Sequence, residues 1–578
     1  VIDDPLLDRL PIIIGVTGHR DLDLRPEYES ALRARVDSIF AKLAREFPAT
    51  PLLLLTPLAE GADRLVAEVA RSRGIPYRVP LPMPIAEYRE DFMTAESLAA
   101  FDTLVEGAET LPYVIARGST EESGQSEASE RRAESYALVG AHIVRSSHVF
   151  IALWNGLPSE ATGGTAQIVR FRVLGVPQRY LPKRSVVDEP EVGPVHHVYA
   201  ARLSEPLVSR PVGTYSLRIR SESKTASGFD AIDERPGESA DPFALLYARI
   251  EAFNRDRSNV PGDSKATEPM SATSRLMATA ERLASYYQRK SRVALTRLFV
   301  ATAIAGLMFE SYAHPAPQWN LLIVPYVVAL GFAVASYVRA NRGRWQDRAQ
   351  DYRALEIGLR VQHVWDAVGL GESVADYYIA RQRTELDWIP KAIGAAHTLD
   401  LRLPFDEQRG IAAVRTFLTE QYTYFAGAPG RRGATARDEA RSRRFEALRS
   451  WAFRAGFFAS ALLVLFALTD SIWPAFYGGP EREDLWHGGL IFCIGCAAIS
   501  AALFNDYLER RGFEEHARRY ELMTGMYRRA LVALDDSDRS PLETARVVIA
   551  EVGHEALAEN GDWVLMHRAL PIELLQIG

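Results

Sequence analysis

Three short stretches of this chain combine residue types that suit an anionic ligand. Thr17, Gly18, His19 and Arg20 follow the apolar run PIIIGV, and Glu60, Gly61, Ala62 and Asp63 follow PLLLLTPLA. Trp154, Asn155 and Gly156 end a third apolar run, with Gly163, Gly164 and Thr165 opening the helical stretch beyond it. Glycines let backbone amides approach a phosphate, a hydroxyl adds a hydrogen bond, and free amides at a helix start supply partial positive charge. Taken singly each feature has a plainer explanation: Gly61 and Gly163 as tight-turn residues, Asp63 as a helix cap, Trp154 as core. Together they predict a site for a nucleotide-derived ligand, with no further cofactor and no metal. Glu60 or Asp63 with His19 are the groups available for acid–base chemistry.

The elements that must hold these loops are short apolar strands alternating with amphipathic helices. PIIIGV, EYESALRARVDSIFAKLAREF, PLLLLTPLA, GADRLVAEVARSRG and IPYRVPLP succeed one another, followed by RRAESYALVGAHIVRSS, HVFIALWNG and GGTAQIVRFRVLG. That alternation predicts an α/β domain over residues 1–210 with a parallel sheet, whose ligands sit at the carboxyl ends of the strands. Residues 117–132 read as a polar insertion, a mobile lid or, in preference, a plain surface loop, and 211–280 as a polar tether. His196 and His197 are adjacent but have no partner at zinc spacing.

Four apolar segments in the second half approach the roughly 20 helical residues that a bilayer requires: 295–312, 319–338, 452–473 and 485–504. The charges noted in them, Arg297, Arg454 and Asp470, fall near segment ends, so no internal charge is expected to mark a transport path. They group in two pairs, each led in by a basic helix (YYQRKSRVALTR, RSRRFEALRSWAFR) and followed by a long polar one, which predicts membrane modules over 281–400 and 401–578. Basic residues crowd outside each pair, and Arg482 is the lone one in the connecting loops, so both termini are expected in the cytoplasm. Trp319, Trp473 and Trp486 fall where an aromatic belt would sit, and the arginines of 427–444 suit anionic headgroups.

A formal charge of −7 over 578 residues argues against a nucleic-acid partner. The two cysteines, Cys493 and Cys496, lie inside an apolar run, where helix packing is the expected role and a disulfide framework is excluded. The opening VIDDPLLDRL has no basic-then-apolar pattern of a secretory signal.

GVTGHRDL, LAEGADRLVAE, LPLPMPIAEYREDF and IALWNG followed by GGTAQIV resemble the SLOG superfamily over about residues 10 to 205. The paired spans, DYRALEIGLRVQHVW, VADYYIARQRTELDWI and EVGHEALAENGDWVLMHRALPIEL resemble the SLATT family of membrane effectors. The resemblance implies a Rossmann-like sensor domain joined to an all-α membrane region in the bacterial inner membrane. It further implies a nucleotide-signal-gated, pore-forming or membrane-disrupting effector of antiphage defence, acting as a homo-oligomer beside a nucleotide-synthesising enzyme. SLOG relatives that hydrolyse nucleotides carry a catalytic Glu three residues after the loop Thr; here Ile168 stands there, beside Gln167. Hydrolysis is therefore not expected. A membrane-anchored nucleotide-processing enzyme and a nucleotide-regulated ion channel are the alternatives.

Overall fold

The computed structural model describes Leu6 and residues 8–115, 125–181, 192–204, 214–217, 231–233, 244–260, 271–314, 320–378, 386–401, 405–472, 480–536 and 539–568. Residues 117–124 of the polar loop, most of 211–243, Trp319 and Trp473 lie outside them. The chain divides into two compact units.

The first unit takes in Val1–Ala280, Leu355–Asp366 and Gly371–Pro404. Its strands are β1 (Ile12–Gly18), β2 (Leu52–Leu55), β3 (Tyr77–Arg78), β4 (Pro80–Leu81), β5 (Tyr113–Val114), β6 (Val149–Trp154), β7 (Val195–Tyr199), β8 (Thr214–Leu217) and β9 (Ala231–Asp233). The main sheet runs β3-β2-β1-β6-β7-β8-β9. Its first five strands are parallel and β8 and β9 are antiparallel, while β4 and β5 form a separate parallel pair. All four residues of β2 and all six of β6 are buried, as expected of strands covered on both faces.

The connecting helices are α1 (Pro26–Glu46), α2 (Ala62–Ser72), α3 (Ile85–Tyr88), α4 (Ala95–Glu106), α5 (Gln125–Ser146) and α6 (Thr165–Leu174). In α1 a proline occupies the first turn and Leu32, Val36, Ile39, Phe40 and Leu43 make the buried stripe, the spacing that one helix face requires.

Part of the stretch expected as tether is ordered. α7 (Ala244–Asn259) buries Tyr247, Ile250 and Phe253, and its fully buried Asn254 bonds both backbone groups of Leu10, at 3.0 and 2.9 Å. α8 (Ala272–Ala313) starts in this unit and continues into the second. Beyond it come α9 (Ile323–Arg342), α10 (Trp345–Ala367) and α11 (Trp388–Asp400). α11 belongs to the first unit, with Trp388 buried beside Phe253. Arg78, at the end of β3, donates to the carbonyls of Thr398 and Leu399 at 2.8 and 2.7 Å, placing a cation at the helix C-terminus. Asp400 accepts the amides of Ala272 and Thr273, both at 2.8 Å, and so caps α8.

The second unit holds Glu281–Ala354, Ala367–Leu370 and Phe405–Gly578, with α12 (Glu407–Ala426), α13 (Ala434–Ile472), α14 (Pro480–Arg511), α15 (Phe513–Asp535) and α16 (Pro541–Arg568). Four helical stretches here are long and apolar enough to cross a membrane, in α8, α9, α13 and α14. Only 33, 17, 11 and 11% of their apolar windows is buried within the protein, so most of that surface faces outward. Phe457 is 78% exposed and Val328 65%, which is compatible with helices that span a membrane.

Candidate functional site

In the sheet order, β2 and β3 lie to one side of β1, while β6 and β7 lie to the other. The direction of winding therefore reverses between β1 and β6, and the crevice beyond their carboxyl ends is where open parallel sheets accept ligands. The three loops singled out in the sequence meet there. The amide of His19 donates to Leu153 O at 3.1 Å, and that of Ala62 to His19 O at 3.1 Å. The Thr165 hydroxyl donates to Gly18 O at 2.8 Å. The Asn155 amide donates to Nε2 of His19 at 3.1 Å.

Two of the glycines serve this meeting of loops rather than a ligand. A Cβ on Gly18 would lie 2.6 Å from Leu153 O, and Gly61, at φ +75°, has the carbonyls of His19 and Arg20 where its Cβ would be. Next to them Leu58 holds φ 56°, a conformation costing about 1–2 kcal/mol outside glycine. Its carbonyl is held by Arg64 Nε at 3.1 Å and its amide by Thr56 Oγ1 at 3.2 Å.

Above the loops opens a cavity of about 380 Å³ lined by Arg20, Asp91, Ser129, Arg132, Ala133, Tyr136, Thr162, Gly163 and Gly164. Its size falls within the range of small-ligand sites. The Arg20 guanidinium sits 4.6 Å over the Tyr136 ring and 3.9 Å from Asp91. Arg132 pairs with Asp91 and lies 3.2 Å from Glu87, and the Tyr136 hydroxyl donates to Asp91. Of the lining residues two are arginines and one is a carboxylate, and Glu87 brings a second carboxylate to the outer side of Arg132.

Beneath this surface Asp63 is buried, and burial pushes its carboxyl up to about 7 despite the opposing pull of Arg20, the Ala59 amide and Arg64. Burial likewise raises the Tyr88 hydroxyl, which has no hydrogen-bond partner among the described residues.

The predicted residues divide accordingly. Arg20, Gly163 and Gly164 line the cavity. Gly163 takes φ +74°, its absent Cβ leaving room for Tyr136 at 2.6 Å. Thr165, His19 and Ala62 use their polar groups to join the loops, and Glu60 accepts from the Ser97 hydroxyl. Thr17 is half-buried at the end of β1. Asn155 turns its carbonyl oxygen onto the Leu157 amide at 3.1 Å, Gly156 takes φ +81°, and Trp154 is core, 5.5 Å from the His197 ring. Asp91, Arg132 and Tyr136 are the charged and aromatic lining residues that sequence reasoning missed, beside Ser129, Ala133 and Thr162. The spacing of Arg132 and Tyr136, four apart on one helix, was a visible signal; their meeting with Asp91 was not.

Ile168 is buried against Gly140, and Gln167 turns back to accept the Gly163 amide at 2.6 Å. The position therefore serves packing, and no carboxylate reaches the loop from it. Among the described residues no group of three or more His, Cys, Asp and Glu is placed to hold a metal. A cavity of about 500 Å³ in the second unit is lined by Glu446, Glu509, Glu514 and Glu515 against Arg449 and Arg518, a balance that disfavours an anion. No protein-family model matches this sequence, and no curated protein matches it.

Proposed function

We propose that the chain is a membrane effector gated by a nucleotide-derived signal, with the β1–β6 crevice as its sensor site. The observation that carries this reading is the cavity at the reversal point of the sheet, where Arg20 lies over the Tyr136 ring and Arg132 lines the same wall. Guanidinium groups suit phosphate oxygens, and an aromatic ring suits a base. The strand order supports a Rossmann-like domain, in keeping with the SLOG resemblance, and the outward-facing apolar helices support the SLATT-type membrane role. The signal is transmitted along α8, whose first amides are held by Asp400 and whose later turns carry apolar surface. Ligand binding shifts the assembly only through differential affinity for its two states, so the Asp91 ion pairs must differ between them. The effector then opens a path through the bacterial inner membrane as a homo-oligomer, in an antiphage role that rests on the resemblance.

The test reconstitutes the full chain in liposomes and presents linear adenine and guanine nucleotides, ADP-ribose species and cyclic oligonucleotides. One ligand class is expected to release an entrapped dye and to be recovered whole, with Arg20→Ala raising the dose required. Release at the same dose in that variant would refute the site. A second reading is a membrane-anchored nucleotide-processing enzyme; recovery of cleaved ligand would select it.

A further inference from the structure

Within the second unit, α8 and α14 pack antiparallel, and one of the residues between them is a carboxylate. Phe299 meets Tyr507 with ring centroids 5.3 Å apart. Further along α8, Gly306 faces Ile499, whose Cδ1 lies 3.1 Å from where a Cβ would stand. Four residues on along α8 and four back along α14, Glu310 faces Gly495. A Cβ on Gly495 would lie 2.5 and 2.6 Å from the two carboxylate oxygens, so the bare backbone of α14 is what admits the group. The sequence reading passed over Glu310, which stands two residues from the end of the 295–312 segment.

Its depth follows from helix geometry. Gly495 stands ten residues from Leu485 and nine from Phe504, the ends of the uncharged stretch. At about 1.5 Å per residue Gly495 lies some 15 Å from either end of that stretch, while on α8 Glu310 stands two residues, about 3 Å, from the end of the 295–312 stretch. The Glu310 side chain is 16% exposed. Its polar neighbours are few: His314 Nδ1 lies 3.2 Å from Oε2 without hydrogen-bond geometry, and Cys496 is a neighbour on α14. No Lys or Arg forms an ion pair with it among the described residues. A carboxylate held between two apolar helices costs several kcal/mol unless water, a proton or a cation reaches it.

We propose that Glu310 is the cation-binding residue of the membrane region, and that the path opened there passes cations in preference to anions. This rests on the reading that α8 and α14 cross the bilayer and that the protein opens a path. A ring of such carboxylates, one per subunit, is the usual means by which a pore selects cations.

Two measurements on the full chain test it. In planar bilayers under a KCl gradient, the current evoked by the activating nucleotide is expected to reverse on the cation side. Glu310→Gln should bring the cation-to-anion permeability ratio to about one. Gly495→Ala, which keeps the charge but displaces the carboxylate, should fall between. A wild-type current without cation preference, or a preference unchanged in Glu310→Gln, overturns the proposal. The second measurement does not depend on opening. A hydrophobic carbodiimide is applied to the protein in liposomes and the adduct is mapped by peptide mass, with K⁺ or choline outside. Labelling of Glu310 that K⁺ suppresses and choline does not is the expected result; no labelling, or labelling indifferent to K⁺, refutes it. If no nucleotide evokes a current, the gating reading fails while the labelling still decides the site.

Discussion

Replacing Asp91 by Asn should tighten the binding of an anionic ligand, an unusual direction for a change inside a binding site. Asp91 accepts from Tyr136, pairs with Arg132 and lies 3.9 Å from Arg20. A phosphate entering between the arginines must meet this carboxylate as a like charge. At a separation of about 5 Å that repulsion is about 1 kcal/mol in water and about 3 at the effective dielectric of a protein surface. The side chains of Asp91, Arg132 and Arg20 are 15, 31 and 46% exposed, so the lower figure applies. Asn keeps an acceptor for Arg132, turns its amide NH2 to the Tyr136 hydroxyl as a donor, and removes the charge, which predicts roughly fivefold tighter binding. Equilibrium dialysis of the full chain in detergent with the activating nucleotide measures it, and the gain should shrink as salt is raised. The companion Arg132→Ala removes a charge-assisted hydrogen bond and should weaken binding about tenfold or more. Weaker binding in Asp91→Asn would refute the reasoning, because Asp91 would then be accepting hydroxyls of the ligand and the phosphate would lie elsewhere.

Other predictions concern the scaffold under the cavity. Because burial pushes the Asp63 carboxyl up to about 7, the folded chain keeps a proton that the unfolded chain releases near pH 4. That contribution to stability is complete below pH 4 and is lost as pH rises to 7. Asp63→Asn should therefore gain on the wild type between pH 4 and 8, by up to about 4 kcal/mol, in thermal unfolding at the two pH values; a constant difference would count against it. His148 has the opposite sign. Its Nδ1 accepts the Ile13 amide at 2.9 Å, and burial pushes it down to about 3, so its contribution is complete above pH 6.5 and lost as pH falls toward 3. His148→Asn keeps an acceptor and cannot be protonated, and should lower the pH midpoint of acid unfolding; an unchanged midpoint would contradict the assignment. Gly61→Ala must place a Cβ against two carbonyls at φ +75°, at a cost of about 2–5 kcal/mol. Gly74→Ala, at φ +69° with nothing within 4 Å, should cost only about 1; equal losses in chemical denaturation would show that loop packing is not the cause.

Much of this was legible in the chain itself, and the rest was not, for a physical reason. Strand runs such as IIIGVTG and VFIALW, the buried stripe of α1 and the four apolar stretches follow from periodicity and composition, which act over a few neighbouring residues. The convergence of three loops followed too, because parallel strands joined by helices must bring their carboxyl ends to one edge. Which groups line the cavity did not follow. Arg132 and Asp91 are 41 residues apart and meet only once α5 packs beside the turn after α3. Nor did the sequence separate glycines that serve a ligand from those that serve packing, since Gly18 and Gly61 are explained by carbonyls contributed from other loops. The joining of residues 371–404 to the sheet unit depends on Arg78 reaching the end of α11, more than 300 positions away. Glu310 stands in plain view in its apolar run, yet only tertiary packing sets it against the bare backbone of Gly495. Local pattern decides which elements form, because hydrogen bonding and burial within a helix or strand are short-range. The meeting of polar groups from different elements is decided when those elements pack.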